Sequence, residues 1–353
     1  MSRTTRNSCS RSCRSLLGLL LCLTLLLGMS GCGSGGDEAP VLRVGVAMYR
    51  QDDTFISALV QHLERLAREE EQQRQIQIRL SVMDGGSNQT TQLEQVDRLI
   101  GQDCDVLCVN IVDRTAAAVL VDKAEEADIP LIFFNRQPVA EDIARWEQVY
   151  YVGARAEESG TLQGQLVLRS WLSDPEVDRN GDGVLQYVML EGEPGHQDTL
   201  LRTAYSVKVL TDAGVSVEKL AGESASWKRG QAMLKVQQWL PELGEDIEVI
   251  FSNNDDMALG AIDAYREAGL PLPVVVGVDA TEPALESLRN RELYGTVLND
   301  GKGIAQAMMD LILALTDSSD PAAAVELVEE HYVWLPYRAV TLANVDSVMD
   351  SGT

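Results

Sequence analysis

The chain has 353 residues, 45% of them hydrophobic, and its 54 acidic against 29 basic side chains give a formal net charge of −25. That content supplies the cores of two ordinary domains, which excludes a disordered chain. The excess of negative charge excludes nucleic acid as a partner, because its phosphates would be repelled.

The N-terminus reads as an export segment. Arg3, Arg6, Arg11 and Arg14 precede an apolar run over 16–27, and no acid comes before Asp37. The run is short for a spanning helix and small residues follow it, as in a bacterial signal peptide over 1–31. Ser30, Gly31 and Cys32 resemble a lipobox in which Cys32 is lipidated and becomes the mature N-terminus, with Met29 where Leu is usual. Residues 32–40 then form a flexible Gly/Ser/acidic tether, so the protein is expected to be extracytoplasmic, lipid-anchored to the membrane without spanning it, and monomeric. Of the remaining cysteines, Cys104 and Cys108 lie four apart on one apolar strand, too far apart for a disulfide. His62, His196 and His331 have no zinc-ligand spacing.

From Leu42 onward, short apolar β-rich runs alternate with amphipathic helical stretches. The pattern predicts strands over 42–48, 77–82, 106–111, 130–134, 186–190, 249–252 and 274–278. Between them it predicts helices that include 57–70, 116–127, 156–173, 201–213, 229–240 and 257–268. This is the alternation of an α/β protein with two doubly wound, Rossmann-like parallel sheets, each presenting strand ends at a common crevice.

Between the helix over 156–173 and the next strand lies a loop with the first nine positions of an EF-hand. Asp178, Asn180, Asp182, Val184 and Gln186 occupy positions one, three, five, seven and nine, and Gly183 occupies the turn at six. Position twelve, where a bidentate Glu belongs, is Met189. A hard cation does not accept a thioether, so either the loop is a solvated turn or a carboxylate arrives from elsewhere in the chain.

Polar and aromatic residues gather at the predicted strand ends. Asp53, Asp198 and Asp279 accept hydrogen bonds, Asn135, Asn254, Asn299 and Arg202 donate, and Phe55 and Trp227 offer flat faces; His196 adjoins Asp198. A sugar presents hydroxyls that donate and accept, with C–H patches on the ring faces, and needs this mixture. Each residue alone also has an ordinary structural role: Asp279 or Asn254 as a helix cap, Phe55 as core, Arg202 as a surface ion pair.

The segments 49–55, 133–138, 192–198, 253–255, 277–280 and 295–300 carry Asp53 and Phe55, Asn135, His196 and Asp198, Asn254, Asp279 and Asn299 in order. In these segments the chain, from about 42 to about 345, resembles the galactose/glucose-binding group of the type I periplasmic solute-binding proteins. The resemblance implies two lobes, 41–153 with 300–334 and 154–299 with 335–349, joined by three crossings that close on the ligand. It implies D-galactose, D-glucose or a methyl-galactoside as ligand, with Phe55 and Trp227 sandwiching the ring. Asp53, Asn135, His196, Asp198, Arg202, Asn254, Asp279 and Asn299 would take the hydroxyls and ring oxygen. It further implies structural calcium, with Glu248 supplying the missing ligand, and an ABC permease as partner. Arg136 stands where that group usually has Lys.

Two other functions compete with sugar delivery. A sensing subunit would present the same ligand to a chemoreceptor or sensor kinase. A glycoside-acting enzyme would use carboxylates such as Asp53 and Asp198 as acid and base; donors lie beside each candidate carboxylate and no raised pKa is expected, which disfavours it.

Overall fold

The computed structural model describes residues 39–350; the signal peptide, Cys32 and most of the tether lie outside the described residues. The first sheet contains β1 (Val41–Met48), β2 (Gln77–Asp84), β3 (Val106–Val109), β4 (Leu131–Phe134), β5 (Val149–Gly153) and β11 (Tyr332–Trp334). Its order is β11-β5-β4-β3-β1-β2 and every pairing is parallel. The second contains β6 (Val184–Glu191), β7 (Ser216–Ser224), β8 (Val249–Ser252) and β9 (Val274–Val276), all parallel, in the order β7-β6-β8-β9. β10 (Thr296–Leu298) and β12 (Arg338–Val340) form an antiparallel pair, and bridges from Gly295 to Val276 and from Leu298 to Asp279 attach it beside β9.

Helices cover both faces of each sheet, which is why the central strands read as continuous apolar runs. β3, β4 and β8 are buried at every residue, whereas the edge strands β2 and β7 are largely half-buried or exposed. Lys219, Glu218 and Glu223 on β7 reflect that edge position, and they hide it from a hydrophobic reading.

All seven predicted strands are present to within two residues at each end, and the helix over 156–173 has those bounds. The helix predicted over 57–70 runs Thr54–Arg74, because Asp53 caps its first turn by accepting from Ile56 N at 3.0 Å. β5, β7, β10, β11 and β12 were not predicted. Three of them span only three residues, too few to show a period.

The chain passes between the two cores three times. It leaves the first sheet after Gly153, returns after Asn299 into the helix Gly301–Thr316, and leaves again after β11 to form β12. Ile304, Met308 and Leu311 accordingly pack in the first core, and Leu298, Val340 and Val345 in the second. In each lobe one fully buried Gln holds the strand ends beside the cleft. Gln92 Nε2 donates to Asn110 O at 2.8 Å, and Gln163 Nε2 donates to Ser252 O at 2.7 Å.

Candidate functional site

Three of the predicted site residues begin helices. Asp53, His196 and Asn254 are the N-caps of Thr54–Arg74, Gln197–Asp212 and Asp255–Ala268; His196 Nδ1 accepts from Asp198 N at 3.1 Å and Asn254 Oδ1 from Met257 N at 3.1 Å. A cap sits where a strand hands over to a helix, so capping places these side chains at the carboxyl ends of the strands. Their ordinary role and their place at the cleft are therefore one geometry.

A single cleft between the lobes is lined by Tyr49, Asp53, Phe55, Ile56, Asn135 and Arg136 from the first and by His196, Asp198, Arg202, Trp227, Asn254 and Asp279 from the second. Nine of the ten predicted residues thus converge. The tenth, Asn299, stands one step back, where its Nδ2 donates to Asp279 Oδ1 at 3.5 Å, and it lines an adjoining groove with Phe55. Tyr49, Ile56 and Tyr337 were missed. Tyr49 directly follows the first predicted strand, which is the signal that would have found it; Tyr337 reaches the site from a crossing segment with no local mark.

Arg202 is the centre of the polar network and is buried rather than a surface ion pair. Its Nη1 donates to Asn253 O at 2.7 Å, and its Nη2 donates to Asp198 Oδ2 at 2.9 Å and to the Tyr337 hydroxyl at 3.2 Å; Asp279 Oδ1 lies 3.7 Å from Nη1. Burial opposes its charge, but Tyr337, Asp198 and Asp279 outweigh it and hold the guanidinium above its usual pKa. Asp53 accepts from the Tyr49 hydroxyl and lies 3.5 Å from Arg50.

Several site residues hold uncommon backbone conformations. Asn135 has φ 60°, Trp227 φ 63°, Asp279 φ 112° and Ala280 φ 55°. Such strain persists only where the surroundings impose it. Tyr151 donates to Asn135 O at 2.9 Å, and Thr281 N donates to Asp255 Oδ2 at 2.8 Å just beyond Asp279. Two glycines allow close approach. A Cβ at Gly192 would lie 2.1 Å from the Trp227 ring, and one at Gly277 would lie 2.2 Å from Asp255 Oδ1. The Trp227 ring also meets His196 edge-on at 5.2 Å.

Arg202 Nε, Trp227 Nε1 and Asn299 Oδ1 are buried with no protein partner. Buried polar groups are normally paired, so these three have hydrogen-bonding capacity left over in and beside the cleft. His196 is held well below its usual pKa by burial and by Arg136, Arg202 and Arg114, and so stays neutral.

The expectation that no carboxylate here has a raised pKa is corrected. Burial lifts Asp279 well above the usual carboxylate range despite Arg202, with Asp255 and Asp53 adding repulsion, and burial lifts Asp255 to about 7. Asp279 lines the cleft and Asp255 lies outside that lining, and low dielectric is the cause in both.

The loop 178–186 folds on itself. Asp178 Oδ1 accepts from Gly181 N at 2.8 Å and Oδ2 from Gly183 N at 3.0 Å. Glu248, just before β8, closes onto it: Oε1 accepts from Arg179 N at 2.7 Å and Oε2 from Gln186 N at 3.0 Å. Burial raises the Glu248 pKa, and the facing Asp178 and Asp182 raise it further. Among the described residues no group of three or more His, Cys, Asp or Glu is gathered to hold a metal on its own. A cation here would need amide and carbonyl oxygens as well, and Gln186 Oε1 is buried without a protein partner. Such an all-oxygen donor set would suit a hard divalent cation such as calcium.

The family model described as a periplasmic binding protein domain matches residues 44–320. The chain is 37% identical over 324 residues to the D-galactose/methyl-galactoside binding periplasmic protein MglB of Haemophilus influenzae, covering 91% of this chain and 95% of that one. It is 29% identical over 296 residues to a xylitol-binding protein of Mycolicibacterium smegmatis, covering 83% and 78%. An ABC transporter solute binding protein from Bacillus halodurans, solved with bound myo-inositol, matches with a TM-score of 0.72 at 28% identity, covering 89% of this chain and 99% of that one. The chain therefore belongs to the periplasmic binding protein family and is an extracytoplasmic solute-binding protein, not an enzyme.

Proposed function

We propose that this protein captures a monosaccharide, D-galactose or D-glucose, by closing its two lobes around it, and delivers it to an ABC permease. The observation that carries the reading is the convergence of Asp53, Asn135, His196, Asp198, Arg202, Asn254 and Asp279 with Phe55 and Trp227 on one cleft. Carboxylates, amides and a guanidinium satisfy hydroxyls of both senses, while the two aromatic rings suit the C–H faces. The relative named for D-galactose and methyl-galactoside supports galactose within that class. A ligand lacking one hydroxyl leaves a buried group unpaired at a cost of about 1–3 kcal/mol, and this is the source of specificity.

Cys32 carries the lipid that keeps the protein beside its permease, and Asp178, Asn180, Asp182, Gln186, Glu248 and the Val184 carbonyl hold structural calcium. The ion is a clip, tying the loop to the segment before β8, and takes no part in sugar chemistry.

A thermal-shift panel of D-galactose, D-glucose, methyl β-D-galactoside, D-ribose and myo-inositol tests the ligand class. Stabilisation by the hexoses above ribose and inositol supports the reading; the reverse order contradicts it.

A further inference from the structure

The Arg136 guanidinium is fixed by the first lobe and reaches into the second. It lies 3.5 Å over the Tyr49 ring, and its Nη1 donates to Val112 O at 3.2 Å. Its Nη2 then donates across the cleft to Glu193 Oε2 at 3.0 Å. The Arg136 side chain is 6% exposed and that of Glu193 25%, so the guanidinium is buried and the carboxylate partly so. Its anchor, Tyr49, is also the residue whose hydroxyl holds Asp53.

Glu193 sits in the turn after β6, where its carbonyl accepts from His196 N at 3.2 Å, and it does not line the cleft that holds the site. Other ties between the lobes are weaker or uncharged. Thr54 Oγ1 donates to Asp256 Oδ2 at 2.7 Å, and Gln197 Nε2 donates to Gln137 Oε1 at 3.4 Å. Among the charged contacts, Lys228 lies 3.9 Å from Asp52 with both side chains exposed, Arg50 Nη1 donates to the Ser226 carbonyl at 3.4 Å, and the Arg155 guanidinium lies 4.2 Å over the Trp334 ring; none of these pairs opposite charges out of solvent.

We infer that Arg136 and Glu193 form a latch that stabilises the closed arrangement of the lobes and sets affinity without selecting the ligand. The ion pair exists only while the lobes are together, so it favours closure by its own free energy. A ligand that needs the closed form has an apparent Kd divided by the closed fraction, so every ligand gains by the same factor. Loss of Glu193 acts doubly, since closure then buries a guanidinium without its counter-charge. The inference rests on the reading that this cleft closes on a sugar, but the latch has a signature that needs no sugar.

The test places one fluorophore on each lobe and measures the closed fraction by energy transfer, with and without sugar, in wild type, Glu193→Gln and Arg136→Lys. Calorimetry then gives Kd for D-galactose and D-glucose. Glu193→Gln is expected to lower the closed fraction in the absence of sugar and to raise both Kd values by one common factor, roughly five- to tenfold. Arg136→Lys keeps the charge without the two-direction fork and falls between. In Glu193→Gln, which leaves the cleft lining intact, an unchanged sugar-free closed fraction overturns the latch, as does a Kd change that differs between the two sugars. Failure of the sugar reading would show separately, as wild type that binds neither.

Discussion

The Arg202 guanidinium donates to the Tyr337 hydroxyl at 3.2 Å, joining the most connected side chain of the cleft to the third segment that crosses between the lobes. Tyr337 is buried and its own backbone N–H meets Glu158 Oε2 at 3.4 Å. The guanidinium is thus tied to that crossing segment. Tyr337→Phe removes one hydrogen bond to a charged group, about 1.5 kcal/mol or roughly tenfold in Kd. Titration calorimetry checks it, and an affinity equal to wild type would show that the hydroxyl does not position Arg202.

Trp227 is one of five tryptophans and lines the cleft. Its indole is therefore expected to report ligand binding as a change in fluorescence. Trp227→Phe should abolish most of that change while keeping binding within roughly fivefold, and Trp227→Ala should weaken binding by at least roughly tenfold, the aromatic contact being lost. A full fluorescence response in Trp227→Phe would assign the signal to another indole.

Chelation should lower the melting temperature by several degrees, roughly 5–10 °C, since a cation held only by the native loop stabilises it by mass action. Glu248→Gln should lower it similarly and make chelation silent. Sugar affinity should persist in both cases, because the loop lies outside the cleft lining. If neither chelation nor the substitution alters melting, the loop holds no cation.

Asp255 gives the stability a pH dependence of predictable sign. Its pKa is raised from 3.8 to about 7, chiefly by burial, so the native state binds more protons than the unfolded chain between those values. Its favourable contribution is therefore present below that window and is lost as pH rises through it. In Asp255→Asn that component disappears, and the deficit of the variant relative to wild type should shrink from pH 5 to pH 8. Thermal unfolding at the two pH values checks this; a deficit independent of pH would mean that Asp255 does not take up the proton.

Burial explains part of what the sequence made legible. β1, β3, β4, β6 and β8 lie inside their sheets and their apolar runs showed directly, whereas β7 at an edge carries Glu218, Lys219 and Glu223 and was not predicted; edge strand β2 was predicted all the same, and the fully buried β5 was not. The clustering of Asp53, His196 and Asn254 was legible because helix caps follow strand ends, a local fact. Tyr337 and the Arg136–Glu193 pair were not, since they depend on β10 pairing with β12 and on how the two lobes meet. The raised pKa values of Asp255 and Asp279 were missed for the same reason: burial is a property of the assembled lobes and not of a motif.

The most direct measurement is isothermal titration of the purified, tag-free protein with D-galactose and with D-glucose at neutral pH. One sugar per chain with saturable heat from at least one of the two, and its loss in Asp279→Ala, is the predicted result. Absence of binding to both sugars, by a protein that melts cooperatively, would contradict the assignment of this cleft to them.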